Sequence, residues 1–334
     1  MMGRTARSAL LILSTLAGCG GDDSATSRLE DAETWMYQIQ SLDEDGAVEE
    51  LAATDYTLLV LEPGQNFREW PYDTAAMVEA LRIAPDGTER VLLAYVDVGQ
   101  AEDYRDYWQS AWTPPLGCGD GDPSWLLAPD GDGWSGNYVV AYWEPAWKDL
   151  WLGDDGIVAD LARLGFDGIY LDWVEAWDDE CVQARADTEG RDVGPEMITF
   201  VRELGDAGRA VREDFLVVPQ NAPFLLDEDP EAYTAAIDAL AVEDTWFHGL
   251  ADTEWGDPGS GDQHDRHDEQ WSTESRLAQY DEYLARDIPV FSVDYCLIEE
   301  NVAMVYREAR DAGLRPLVTQ SPLSRLTETP PDDY

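Results

Sequence analysis

The chain has 334 residues, 44% hydrophobic and 11% aromatic, and a formal charge of −49 from 70 acidic against 21 basic residues. That length and apolar content can bury one large core, while the charge repels nucleic acid and anionic lipid and attracts cations. Nucleic acid is therefore excluded as a partner, and two readings of the acidity stand side by side: a solvated surface of a salt-adapted or high-GC lineage, and a cationic substrate.

Residues 1–18 read as an export signal. Arg4 and Arg7 form a charged leader, 9–16 an apolar run too short to span a bilayer, and Leu16-Ala17-Gly18-Cys19 resembles a lipobox. A lipobox implies cleavage before Cys19 and acylation of its sulfur, so the only membrane contact expected is a lipid anchor on the cell envelope; an ordinary signal peptide with secretion is the alternative. Loss of Arg4 and Arg7 takes the charge from −49 to −51. A small, polar tether is expected over 19–33, a folded domain over 34–326 and a polar tail over 327–334.

Along the domain, short apolar runs alternate with helical patterns. Strands are predicted over 35–39, 57–61, 91–97, 168–172, 216–220, 239–243, 289–294 and 316–319, and helices most clearly over 145–164, 195–214, 230–238, 273–286 and 301–312. Eight such alternations predict an α/β fold, a single (β/α)8 TIM barrel. A doubly wound open sheet is the runner-up, but no Gly-rich phosphate loop follows any strand.

Each predicted strand ends in a carboxylate or an amide: Gln38 or Gln40, Glu62, Asp97, Asp172, Gln220 with Asn221, Glu243 with Asp244, Asp294 and Gln320. In a barrel those ends carry the chemistry. Side-chain alternation turns Tyr170 and Asp172 inward on the fourth strand and Glu243 inward on the sixth; the same rule is taken to bring in Tyr95 with Asp97, and Ser292 with Asp294.

Two carboxylates facing one cavity match glycoside hydrolysis, in which one donates a proton to the leaving oxygen and the other is nucleophile or base. Asp244 directly after Glu243 raises that acid's affinity for a proton, so Glu243 is expected as general acid and Asp172 as nucleophile or base. Tyr37, Asp97, Tyr170, Asp294 and Gln320 are expected to line the substrate pocket. A carboxyl separation of about 5 Å would give retention and about 6.5–9.5 Å inversion; retention is the expectation.

Other motifs carry less. His248, His264 and His267 sit in a Gly- and Asp-rich loop without a two-histidine helix motif, so neither metal nor cofactor is expected. No serine sits in a nucleophile elbow. Cys118 and Cys181 lie in loops after successive strands and are expected to pair as a disulfide, leaving Cys296 as a free thiol. The Asp- and Gly-rich stretch 117–136 has no role in this reading.

Four blocks together resemble glycoside hydrolase family 114: 91–108 (VLLAYVDVGQAEDYRDYW), 142–147 (YWEPAW), 165–177 (GFDGIYLDWVEAW) and 239–243 (ALAVE). The resemblance covers about 35–326 and implies a barrel with endo-acting polygalactosaminidase activity, Asp172 and Glu243 matching the family's proposed catalytic aspartate and glutamate. It also implies an alpha-1,4-linked, partly deacetylated galactosamine polymer as substrate, whose positive charge would suit so acidic a protein. A catalytically silent lipoprotein that binds cationic glycans, and a glycosidase for another sugar, remain as alternatives.

Overall fold

The computed structural model describes residues 28–119, 121–264 and 271–327. The expectations for the signal segment, for Cys19, for His267 and for most of the C-terminal tail lie outside the described residues.

Eight parallel strands follow one another in chain order among the described residues: β1 (Trp35–Gln38), β2 (Leu58–Leu61), β3 (Val91–Asp97), β4 (Gly168–Asp172), β5 (Leu216–Pro219), β6 (Leu240–Glu243), β7 (Val290–Tyr295) and β8 (Arg315–Thr319). β1 to β5 form one parallel sheet and β6 to β8 another. A single parallel bridge, Gln220 to Ala241, joins β5 to β6, with Asn221 N donating to Ala241 O at 2.8 Å. Between β8 and β1 the link runs through the Trp35 indole, which donates to Arg315 O at 2.9 Å, and through Leu323 O, which accepts from Ile39 N and Gln40 N at 3.0 and 3.1 Å. No helix among the described residues is long and apolar enough to cross a membrane.

The helices start and stop where local chemistry dictates. Asp179 caps Glu180–Glu189 by accepting from Cys181 N and Val182 N, and Asp229 with Pro230 opens Pro230–Thr234. The single helix predicted over 145–164 is two, Pro145–Trp151 and Ile157–Leu164, because the intervening Gly-Asp-Asp-Gly breaks it, with Gly153 at φ +88°.

Aromatic rings fill the space enclosed by the strands. Tyr37 packs on Tyr170 and Tyr95 with ring centroids 5.1 and 6.2 Å apart, and Trp35 on Phe291 at 5.7 Å. Below β4, toward its N-terminal end, Asp167 is fully buried but accepts from Arg28 at 2.8 Å, Arg212 at 2.7 Å, Arg82 and Leu92 N. A buried carboxylate so thoroughly paired is a structural one.

Between β3 and the helix Pro145–Trp151 the chain makes a long insertion. Its three short strands, Gln100–Glu102, Leu126–Pro129 and Asn137–Val140, form an antiparallel sheet. Trp108, Trp112, Trp125 and Trp147 pack behind it, with successive centroids 5.2, 4.9 and 5.1 Å apart. Cys118 in this insertion is joined by a disulfide to Cys181, on the helix after β4, with Cα atoms 5.4 Å apart; Cys296 is a buried free thiol.

Candidate active site

The C-terminal ends of the strands open into a cavity of about 1110 Å³ that Asp172, Glu175 and Glu243 all line. Register explains the convergence. Asp97 stands beside Asp172 across β3 and β4, and Glu243 beside Val293 across β6 and β7, so Asp172 at the end of β4 and Glu243 at the end of β6 both turn inward.

The two acids have different partners. Asp172 accepts from Tyr95 Oη at 2.5 Å and from Trp173 N at 2.8 Å, two donors that stabilise its ionised form. Burial nevertheless pushes its pKa up to about 6. Glu243 accepts from Tyr295 Oη at 3.1 Å and from Asn221 Nδ2 at 3.4 Å, longer bonds that offset less. Burial and then the charge of Asp172 push its pKa up to about 8. This arrangement biases the pair in one cavity toward an ionised Asp172 and a protonated Glu243.

Asn221 ties a third acid to the pair. Its Oδ1 accepts from Glu243 N at 3.1 Å, which turns its amide group toward both Glu243 and Glu175, the latter at 3.3 Å. Glu175 Oε2 is buried without a hydrogen-bond partner, and burial followed by the charge of Asp172 drives its pKa well above the carboxylate range. The sequence reading named Asn221 only as a strand end and gave no role to Glu175. It missed Tyr295 altogether.

Of the five residues expected to line the pocket, Tyr37 does, donating from its hydroxyl to Gln220 Oε1 at 3.2 Å. Tyr170 faces inward as predicted, but it lies one layer below Asp172, beneath Tyr37, and does not reach the cavity. Asp97 is buried, its Oδ1 accepting from Gln100 N at 2.8 Å, so it anchors the start of the insertion. Asp294 corrects the reading of β7: Phe291, Val293 and Tyr295 share the inner face with Glu243, and Ser292 and Asp294 face the helices. Its Oδ1 holds Trp246 N and Phe247 N at 2.7 and 2.8 Å. Gln320 likewise sits outside the cavity, accepting from Gly256 N at 2.6 Å and Ser260 Oγ at 2.9 Å. Each of these last three residues thus holds a loop that itself reaches the cavity.

The lining is strongly acidic: eleven carboxylates against three arginines. Two of those arginines are engaged, Arg105 with Glu62 at 2.7 Å and with Glu102 at 2.7 Å, and Arg276 with the main-chain oxygens of Glu243 and Asp244. No ion pair reaches Asp97, Asp172, Glu175 or Glu243 among the described residues, and no cluster of metal-ligating side chains occurs there. Unpaired buried acids in a cavity mark a functional site more often than a structural one.

Comparison with known proteins places this site in context. An uncharacterised protein of Deinococcus radiodurans is 34% identical over 275 residues, covering 81% of this chain and 75% of that one. One from Thermotoga maritima is 33% identical over 223 residues, covering 64% of this chain and 60% of the relative. Among solved structures, Aspergillus fumigatus Ega3 in complex with galactosamine superposes with a TM-score of 0.57 at 14% identity, covering 89% of this chain and 95% of that one. The glycoside hydrolase domain of PelA from Pseudomonas aeruginosa gives 0.56 at 19% identity, covering 88% and 96%. At such identities these two structures speak for a shared fold, while the model of glycoside-hydrolase family GH114 matches residues 21–333. The chain belongs to glycoside-hydrolase family GH114.

Proposed function

We propose that this protein cuts within an alpha-1,4-linked galactosamine polymer, with Asp172 as nucleophile or base and Glu243 as general acid. The observation that carries the proposal is the opposed bias of the two acids: Asp172 holds two hydrogen-bond donors, one at 2.5 Å, while burial and the charge of Asp172 favour the protonated form of Glu243, whose own hydrogen bonds are longer. Glycoside hydrolysis needs one acid in each state. The excess of carboxylates around the cavity supports a cationic polymer over a neutral one. The galactosamine bound to Ega3, a protein of similar fold, agrees with that choice.

The same reading takes the eight strands as a closed (β/α)8 barrel, a closure supported by the Gln220 to Ala241 bridge on one side and by the Trp35 and Leu323 bonds on the other. It takes the protein as exported and lipid-anchored through Cys19, on the strength of the lipobox; the Cys118–Cys181 disulfide supports an oxidising compartment.

The test is release of reducing ends from partly deacetylated galactosamine polymer. Asp172→Asn and Glu243→Gln should each lower turnover by about 10²–10⁴-fold. A parent protein that binds the polymer tightly and releases nothing would establish a binding lipoprotein instead, and cleavage of a different glycan alone would overturn the substrate.

A further inference from the structure

The insertion after β3 is unexplained by fold or catalysis, yet Asp132, Trp134, Ser135 and Asn137 line the cavity. Trp134 stands apart from the other tryptophans of this segment. Trp108, Trp112 and Trp125 pack on one another, whereas Trp134 is 41% exposed and joins no ring pair among the described residues.

Its loop is nonetheless held firmly. Asp130 Oδ1 accepts from the main-chain N–H groups of Asp132, Gly133 and Trp134 at 2.9, 2.7 and 2.8 Å. Asp130 Oδ2 accepts from the buried Gln100 Nε2 at 2.8 Å, and Gln100 Oε1 accepts from Asn137 Nδ2 at 2.9 Å. Gly133, at φ +108°, forms the tip, where a Cβ would lie 3.6 Å from Ala251 Cβ in the loop after β6. The insertion therefore reaches across the strand ends to the opposite rim.

We propose that Trp134 is a stacking platform for one amino-sugar ring flanking the bond to be cut, an inference that rests on the glycosidase reading above. A pyranose ring presents a face of C–H groups and an amino sugar adds an ammonium, and an indole face attracts both. The surroundings match the charge: Asp132 lies two residues away, and Asp252 and Glu254 line the same cavity from the facing loop. Bracing the main chain that carries this solvent-facing indole through Asp130 and Gln100 removes loop motion that a bound sugar would otherwise have to arrest, which favours binding.

The test uses the mature protein carrying Trp134→Ala or Trp134→Phe. Affinity for a long galactosamine oligomer is measured by calorimetry on a Glu243→Gln background, and KM and kcat are measured on the otherwise unaltered enzyme. Trp134→Ala should weaken Kd and raise KM about tenfold while kcat at saturation holds. Trp134→Phe should keep most of the affinity, because an aromatic face remains. An active parent whose Kd and KM are unmoved by Trp134→Ala would overturn the platform and leave the glycosidase standing, and so would equal losses in both variants. A parent that neither binds nor cuts galactosamine polymer would overturn the glycosidase reading and the proposed occupant together.

Discussion

Replacing Tyr95 by Phe should move the acid limb of the pH profile. Tyr95 Oη lies 2.5 Å from Asp172 Oδ2 and is one of two donors to that carboxylate. A hydrogen bond to a charged group contributes about 1.5–3 kcal/mol, so its loss should raise the pKa of Asp172 by about 1–2 units from its starting point of about 6. The sign follows because the hydroxyl favours the ionised form. Because the proposed mechanism needs Asp172 ionised, kcat/KM at pH 6 should fall about 5- to 50-fold, with the loss shrinking as pH rises toward the limb that mechanism assigns to Glu243. The ring stays in place against Tyr37, so the enclosed core is kept. The assay is kcat/KM for reducing-end release between about pH 4.5 and 9.5, a span that brackets both limbs. Tyr295→Phe is the counterpart: it removes a donor from Glu243 and should push the alkaline limb upward. An acid limb in Tyr95→Phe that stays put or moves down would refute the assignment of Asp172 as the group that must be ionised.

Burial raises the folded-state pKa of Asp97, Asp172, Glu175 and Glu243, so these groups favour folding below the unfolded carboxylate range and lose that contribution as pH rises through their folded values. Thermal unfolding of Glu243→Gln should therefore depend less on pH between about 5 and 8 than that of the parent, and an identical slope would contradict this. Asp167→Asn should lower stability by about 3–5 kcal/mol in denaturant unfolding, since it leaves three arginines without their shared carboxylate, while KM holds. Cys118→Ser with Cys181→Ser opens a loop of 63 residues, which corresponds to ~4 kcal/mol on the chain-entropy account; equal stability with and without reductant would refute that contribution. Gly99→Ala should impair both folding and turnover, because a Cβ there would overlap the Trp173 carbonyl next to Asp172.

The sequence by itself determined where the eight parallel strands run and that Asp172 and Glu243 stand at the ends of two of them on the inner face. Apolar runs place each of the eight parallel strands within about two residues of its observed limits, whereas the three short antiparallel strands of the insertion after β3 are not anticipated. Alternation succeeds on β4 and β6, where Tyr170 with Asp172, and Ala241 with Glu243, share the inner face. It fails on β7, whose run Val-Phe-Ser-Val-Asp-Tyr is buried on both sides, so polarity does not reveal which face is inner. There, pairing with β6 decides, and it turns Tyr295 toward Glu243 and Asp294 toward the helices. Depth is equally invisible in sequence: Tyr170 has the right facing but sits a layer too low, because period-two alternation orders sides and says nothing of height. The meeting of Asn221 with Glu175, and of the Gly133 tip with the loop after β6, joins segments 46 and 118 residues apart. Such contacts depend on how loops cross the strand ends, and only the folded chain brings them together.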